Sequence, residues 1–316
     1  MTNDIATSKK FPISQWITWF LISIGLGWIF WLIFQQWDTL AKQFVNVKIE
    51  SVIFILILGF ISTLHNAFVF HLLLNKHIEK KISFIYAARL LFVGQMIRHV
   101  PGRFWGVVYQ INETKSHIPA TSMIRINIDF MFISLAFAIL IPLVVLLFFI
   151  DLWLAIFTFL LAILIIIFSL RYDWNNRILR LVSVYLPKRM ADHLCKMTST
   201  TPYSWTHIIK LIIFSSSGWL FYFLAWQFFA LAWPIFADTN ILILCATYSI
   251  AWIIGFISLV TPSGLGVREA MFLLLSPSGH ASSLALLAIL VRFWLLINDI
   301  LLFILFLVLP IRKKYV

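Results

Sequence analysis

Negative charge is scarce in this chain. Of 316 residues only 12 are Asp or Glu, against 24 Lys or Arg, and charged residues of every kind make up 11%. Beside 62% hydrophobic residues and a mean hydropathy of +0.99, so few charges cannot cover an ordinary globular surface, which excludes a soluble enzyme. Cysteine occurs twice, as Cys195 in a basic segment and Cys245 in an apolar one, so neither a disulfide framework nor a thiolate metal site is available. The eight histidines are dispersed without ligand spacing, and no metal or other cofactor is expected. A net charge of +12 invites a nucleic-acid reading. The basic residues, however, sit in short segments between apolar runs, the pattern of the positive-inside rule, so no nucleic-acid partner is expected.

What the chain has is long apolar runs. Those at 16–34, 51–74, 126–150, 152–170, 207–232 and 284–309 are each of a length to cross about 30 Å of hydrocarbon, which takes about 20 helical residues. The first follows a basic pair, Lys9-Lys10, with no small-residue cleavage site after it, and reads as an uncleaved helix. Two further stretches, 83–113 and 240–276, are apolar but broken near their middles. The breaks are His99-Val100-Pro101-Gly102-Arg103 and Thr261-Pro262-Ser263-Gly264-Leu265-Gly266. A helix, a Pro-Gly break and a second helix describe a re-entrant hairpin. The expected fold is therefore an all-α polytopic membrane protein, one membrane domain over 1–316, with about six full transmembrane helices and two re-entrant helical hairpins.

Lys76, Lys80, Lys81, Lys115, Arg125, Arg171, Lys210 and the termini collect on one side if both hairpins return to the face they left, while the opposite loops hold Lys42 and Lys48 alone. That places both termini in the cytoplasm of a bacterial-type inner membrane. Turning each broken stretch into two crossings would preserve the same ends. On the hairpin reading, residues 51–150 and 207–312 form two units of opposite topology, an inverted repeat of the kind transporters use. Residues 171–206 join them as an amphipathic cytoplasmic connector.

Charged groups inside the bilayer are costly, so those at the breaks are the candidate site. In the first hairpin Arg98 and Arg103 bracket Pro101-Gly102, and Arg103, Gly106, Gln110 and Glu113 follow at helical spacing as a polar stripe. In the second, Gly264 and Gly266 free the backbone and Arg268 and Glu269 open the next short helix. A helix that starts at a hairpin tip aims its amide groups and positive dipole end at the bilayer interior, where an anionic headgroup can use them. An adjacent Arg matches phosphate oxygens. The competing reading makes Arg103 with Glu113, or Arg268 with a nearby carboxylate, buried ion pairs that only hold the hairpins. Arg292 and Asp299, seven apart on one helix, either pair with each other or meet the second hairpin, and Asp129, close to Arg125, is an interfacial pair or a coupling group. Gly59, Ser62, His65 and Asn66 share a face suited to interhelical packing.

At Pro101-Gly102-Arg103-Phe104-Trp105-Gly106 and Pro262-Ser263-Gly264-Leu265-Gly266-Val267-Arg268-Glu269-Ala270 the chain resembles the transmembrane, flippase-like region of lysylphosphatidylglycerol synthases and its stand-alone relatives, over roughly residues 10–312. The resemblance implies movement of a phospholipid, or of a polyprenyl-phosphate-linked glycan lipid, between leaflets. It carries Arg103, Gly264, Gly266, Arg268 and Glu269 as functional positions, with a cytoplasmic or membrane glycosyltransferase or synthase as a partner. The soluble aminoacyltransferase domain of full synthases has no counterpart here, so lysyl-lipid synthesis is not expected of this chain. Two other readings are an integral-membrane lipid-modifying enzyme, such as a polyprenyl-phosphate-dependent glycosyltransferase, and a membrane anchor for a cytoplasmic transferase. The first needs paired carboxylates near one interface, where the outer loops offer only single acids, Asp38, Glu50, Asp151 and Asp238.

Overall fold

A computed structural model describes Phe34 and residues 47–78, 81–97, 105–172, 203–236, 239–257, 266–276 and 281–310. Through these run α1 (Ile49–His77), α2 (Phe84–Ile97), α3 (Trp105–Thr114), α4 (Ala120–Phe148), α5 (Leu152–Arg171), α6 (Trp205–Ala232), a 3₁₀ turn at Pro234–Phe236, α7 (Ile241–Ile257), α8 (Val267–Leu275) and α9 (Ala281–Val308). No strand occurs among the described residues. Among the described residues five helices, α1, α4, α5, α6 and α9, are long and apolar enough to cross a membrane, and the protein is a polytopic all-helical membrane protein. They match five of the six runs expected from hydropathy. The sixth, 16–34, lies outside the described residues apart from Phe34, as does most of the connector.

Both broken stretches are helix pairs. At about 1.5 Å per residue, α2 (14 residues) and α3 (10 residues) are about 21 and 15 Å long, and α7 (17 residues) and α8 (9 residues) about 26 and 14 Å. None reaches the roughly 30 Å of a bilayer core. Contacts between the arms run in opposite directions along the chain. The Tyr86 hydroxyl lies 3.5 Å from the Glu113 carbonyl, the Gln110 amide donates to the Leu90 carbonyl at 3.2 Å, and Gly94 packs on Gly106. Likewise Gly255 packs on Arg268, and the Tyr248 and Phe272 rings lie 5.3 Å apart. Each pair is therefore an antiparallel hairpin.

Glycine sets the separation of the first pair. A methyl group on Gly106 would overlap the Gly94 carbonyl, so only glycine lets the two backbones approach this closely. The same device joins the long helices. Ser62 Oγ donates to the Gly218 carbonyl at 2.8 Å, the His65 side chain lies against Gly218, and Gly59 admits Trp294 and Asn298 of α9. Ser62 and Gly59 thus bear out the close packing expected of that face; Asn66 on the same helix is exposed.

The helix directions follow from these contacts. The Lys48 amide donates to the Ala232 carbonyl, whereas His77 stands against Tyr203, so α1 and α6 are antiparallel along their length. Gly59 of α1 meets Trp294 of α9, and Phe84, which packs on Phe68 and His71 further along α1, meets Phe306 further along α9, so α9 runs parallel to α1. The first hairpin starts where α1 ends. Its Ile82 is clamped by Asn75, whose carbonyl accepts the Ile82 amide at 2.7 Å and whose amide donates back at 3.1 Å. The second hairpin starts where α6 ends, at the opposite side of the molecule. Two apolar clusters fill the body: Phe70, Leu73, Phe92, Ile126 and Phe306 near the first hairpin, and Trp226, Phe229, Tyr248, Phe272 and Trp294 near the second.

Candidate functional site

The second hairpin carries a charged group built from three elements. Gly266 has φ 81°, a conformation that side-chain-bearing residues avoid, and it turns the chain into α8. Three residues on, at the N3 position, Glu269 reaches back so that its Oε2 accepts the Gly266 amide at 2.8 Å. The other oxygen, Oε1, pairs with Nη1 of Arg292 on α9. Glu269 is 4% exposed, so this carboxylate is out of solvent and held by two donors. Arg292 lies 11 residues into α9, about 16 Å from its start, which puts the pair near the middle of a bilayer-spanning helix. Arg268 is buried beside it, its Cβ against Gly255 and its guanidinium 5.9 Å from the Tyr248 ring centroid. The spacing Gly-x-Arg-Glu at 266–269 thus serves the backbone first: a glycine for the turn, a glutamate for the cap.

Of the two readings open for Arg292 in the sequence, the structure takes the one in which it meets the second hairpin. Asp299, two turns further along α9, is half-buried. Gly266, Arg268, Glu269 and Arg292 are brought together; Arg98, Pro101, Gly102, Arg103 and Gly264 lie outside the described residues.

The polar stripe of the first hairpin divides. Gln110 is 3% exposed and committed at both ends of its amide: Nε2 donates to the Leu90 carbonyl and Oε1 accepts from Asn127 of α4 at 2.7 Å. It ties α2, α3 and α4 into one body. Glu113, one turn on, is exposed. Polarity and helical spacing mark both residues, but neither tells an interlocking amide from one that faces a substrate.

Asp129 belongs elsewhere. It is fully buried, with Oδ1 3.0 Å from Arg125 Nε, and Oδ2 shared by the Tyr203 hydroxyl at 2.9 Å and His77 Nε2 at 3.2 Å. His77 lies 18 residues, about 27 Å, along α1 from Gly59, so this cluster stands at the end of the helices rather than beside Glu269. The Arg125–Asp129 pair is legible at i, i+4 spacing. His77 and Tyr203 carry no comparable signal, because each borders a polar segment and only the folded chain brings them together. Asn298, fully buried against Gly59, was also missed, although an amide in an apolar run is itself a signal. Among the described residues no three His, Cys, Asp or Glu side chains gather as metal ligands.

Compared with known families, residues 16–305 match the profile described as Lysylphosphatidylglycerol synthase TM region. The chain belongs to that family. As a lysylphosphatidylglycerol synthase TM-region protein it has a membrane, lipid-related function, and the match takes in both hairpins and the Glu269–Arg292 pair. No curated protein and no solved structure matches the chain.

Proposed function

We propose that this protein moves a lipid with an anionic or aminoacylated headgroup, a phospholipid or a polyprenyl-phosphate-linked glycan lipid, between the two leaflets. The observation that carries this reading is the Glu269–Arg292 pair, held at mid-helix depth by a hairpin too short to span. A carboxylate and a guanidinium there offer a headgroup what water offers at the interface. Arg292 and Arg268, with Arg98 and Arg103 of the first hairpin, bind phosphate, Glu269 releases Arg292 to it or receives an amino group, and the tails stay in hydrocarbon. Residues 51–150 and 207–312 act as oppositely oriented halves, with hairpins entering from the cytoplasmic and outer faces of the inner membrane. The protein is then a carrier without chemistry of its own, and a glycosyltransferase or synthase supplies the lipid.

Reconstitution in liposomes with a headgroup-labelled anionic phospholipid tests this. Wild type should equilibrate the label between leaflets. Arg103→Ala with Arg268→Ala should slow transfer to the protein-free rate, and unchanged transfer by that double variant would defeat the assignment.

A further inference from the structure

The first hairpin carries a polar group of its own, near its open end. The arms meet with Tyr86 against Glu113, Leu90 against Gln110 and Gly94 against Gly106. Arg89 stands one position before Leu90, and Tyr109 one position before Gln110. In two antiparallel right-handed helices the same step back turns both side chains to the same flank, and Glu113, one turn beyond Tyr109, joins them there. The Arg89 guanidinium and the Glu113 carboxylate both lie within electrostatic reach of the Tyr86 and Tyr109 hydroxyls. Arg89 is the sixth residue of α2, about 8 Å from its start and well short of the hairpin tip. Arg89 and Tyr109 are half-buried, and Glu113 is exposed. Among the described residues neither the guanidinium nor the carboxylate has a hydrogen bond or an ion pair, and the Tyr109 hydroxyl has no partner. A half-buried guanidinium without a counter-charge, beside a phenol without an acceptor, lacks an anion with several oxygens. One turn from Tyr109 toward the tip, Trp105 is exposed and gives the same flank an apolar surface deeper in the membrane.

We propose that Arg89 and Tyr109 form a docking site for the phosphate of a membrane lipid at the open end of the first hairpin. The planar guanidinium takes a pair of phosphate oxygens, the Tyr109 hydroxyl donates to the phosphate, and Trp105 lies along the upper part of the tails. Glu113 works against the anion from the same flank. It weakens the hold, so that a docked lipid can leave again. An apolar surface next to the phosphate position favours a lipid over a free phosphate ion, which has nothing to bury there. The site precedes the Glu269–Arg292 pair on the way into the bilayer. Only that placement rests on the lipid-carrier reading; the binding is measured without transfer.

The test uses the full chain in detergent micelles and phosphatidylglycerol, an anionic phosphodiester, as the probe, with bound lipid counted by native mass spectrometry. Arg89→Gln should weaken binding about tenfold and Tyr109→Phe about threefold, as expected for a charged and a neutral hydrogen bond. Arg89→Lys keeps the charge and the stem but loses the fork; it should bind about threefold more weakly than wild type and stands in if thermal unfolding shows Arg89→Gln to be misfolded. Lys81→Gln, which removes an exposed cation at the same end of the hairpin, should change binding less than about twofold. Glu113→Gln should tighten it about threefold. Wild-type binding in the Arg89 variants, an equal loss in Lys81→Gln, or weaker binding by Glu113→Gln would overturn the proposal. Displacement of the lipid by millimolar inorganic phosphate would make this a site for the soluble ion and overturn it too. Binding as expected with no transfer in liposomes would count against the carrier reading alone, and transfer by wild type with unaltered binding in the Arg89 variants against this site alone.

Discussion

At the residue scale, most of what looks like a ligand set is also holding backbone. Glu269 caps α8 through the Gly266 amide and neutralises Arg292. Glu269→Gln should keep part of the cap but leave the arginine without its counter-charge. Breaking a buried pair costs about 3–5 kcal/mol, and with the Arg292 side chain 26% exposed the expected loss is at the low end, about 3 kcal/mol. Thermal unfolding in detergent checks it. The further change Arg292→Gln should recover most of the loss, whereas additive losses would mean that the two side chains do not act as a pair. Asp151 is a smaller case. It stands alone in the sequence as an acid in an outer loop, and the structure makes it the N-cap of α5, accepting the Leu154 amide at 2.8 Å. Asp151→Ala should cost about 1 kcal/mol by the same measurement and leave any lipid transfer unchanged.

At the scale of the element, the hairpins show what a sequence can and cannot say. Pro101-Gly102 and Pro262 with Gly264 announce that helices stop there, because proline lacks an amide hydrogen and clashes with the preceding turn. The arms then follow as the remaining apolar residues. Which faces the arms turn to each other is not legible in the same way. Gly106 and Gln110 read as part of a polar stripe, but the first packs on Gly94 and the second locks onto Leu90 and Asn127, partners 12 to 20 positions away. Helical spacing reports which residues share a face, not what that face meets. Gly106→Ala puts a methyl into the Gly94 carbonyl and should destabilise the protein by about 1–3 kcal/mol, seen in thermal unfolding in detergent. Equal stability of variant and wild type would show that the arms do not meet there.

At the scale of the whole molecule, hydropathy alone gives five described membrane-length helices and two helix pairs in the right order, since the bilayer fixes length and composition together. Basic residues set the side expected of each loop. The long-range joints stay hidden: Arg292 with Glu269, His77 and Tyr203 with Asp129, Gly59 with Trp294. Each is a contact between helices whose relative rotation no single run of residues encodes. The family match covers residues 16–305 and sets the lipid context for all of them.

The central claim is that two hairpins enter from opposite faces and bring charge to the middle of the bilayer. Single cysteines at the hairpin bases test it most directly, at Ser83 and Lys115 for the first and at Asn240 and Ser276 for the second, each modified by an impermeant reagent in sealed vesicles of known orientation. The expected result is that the first two react only from the cytoplasmic side and the last two only from the outside. The two ends of either hairpin reacting from opposite sides would contradict it.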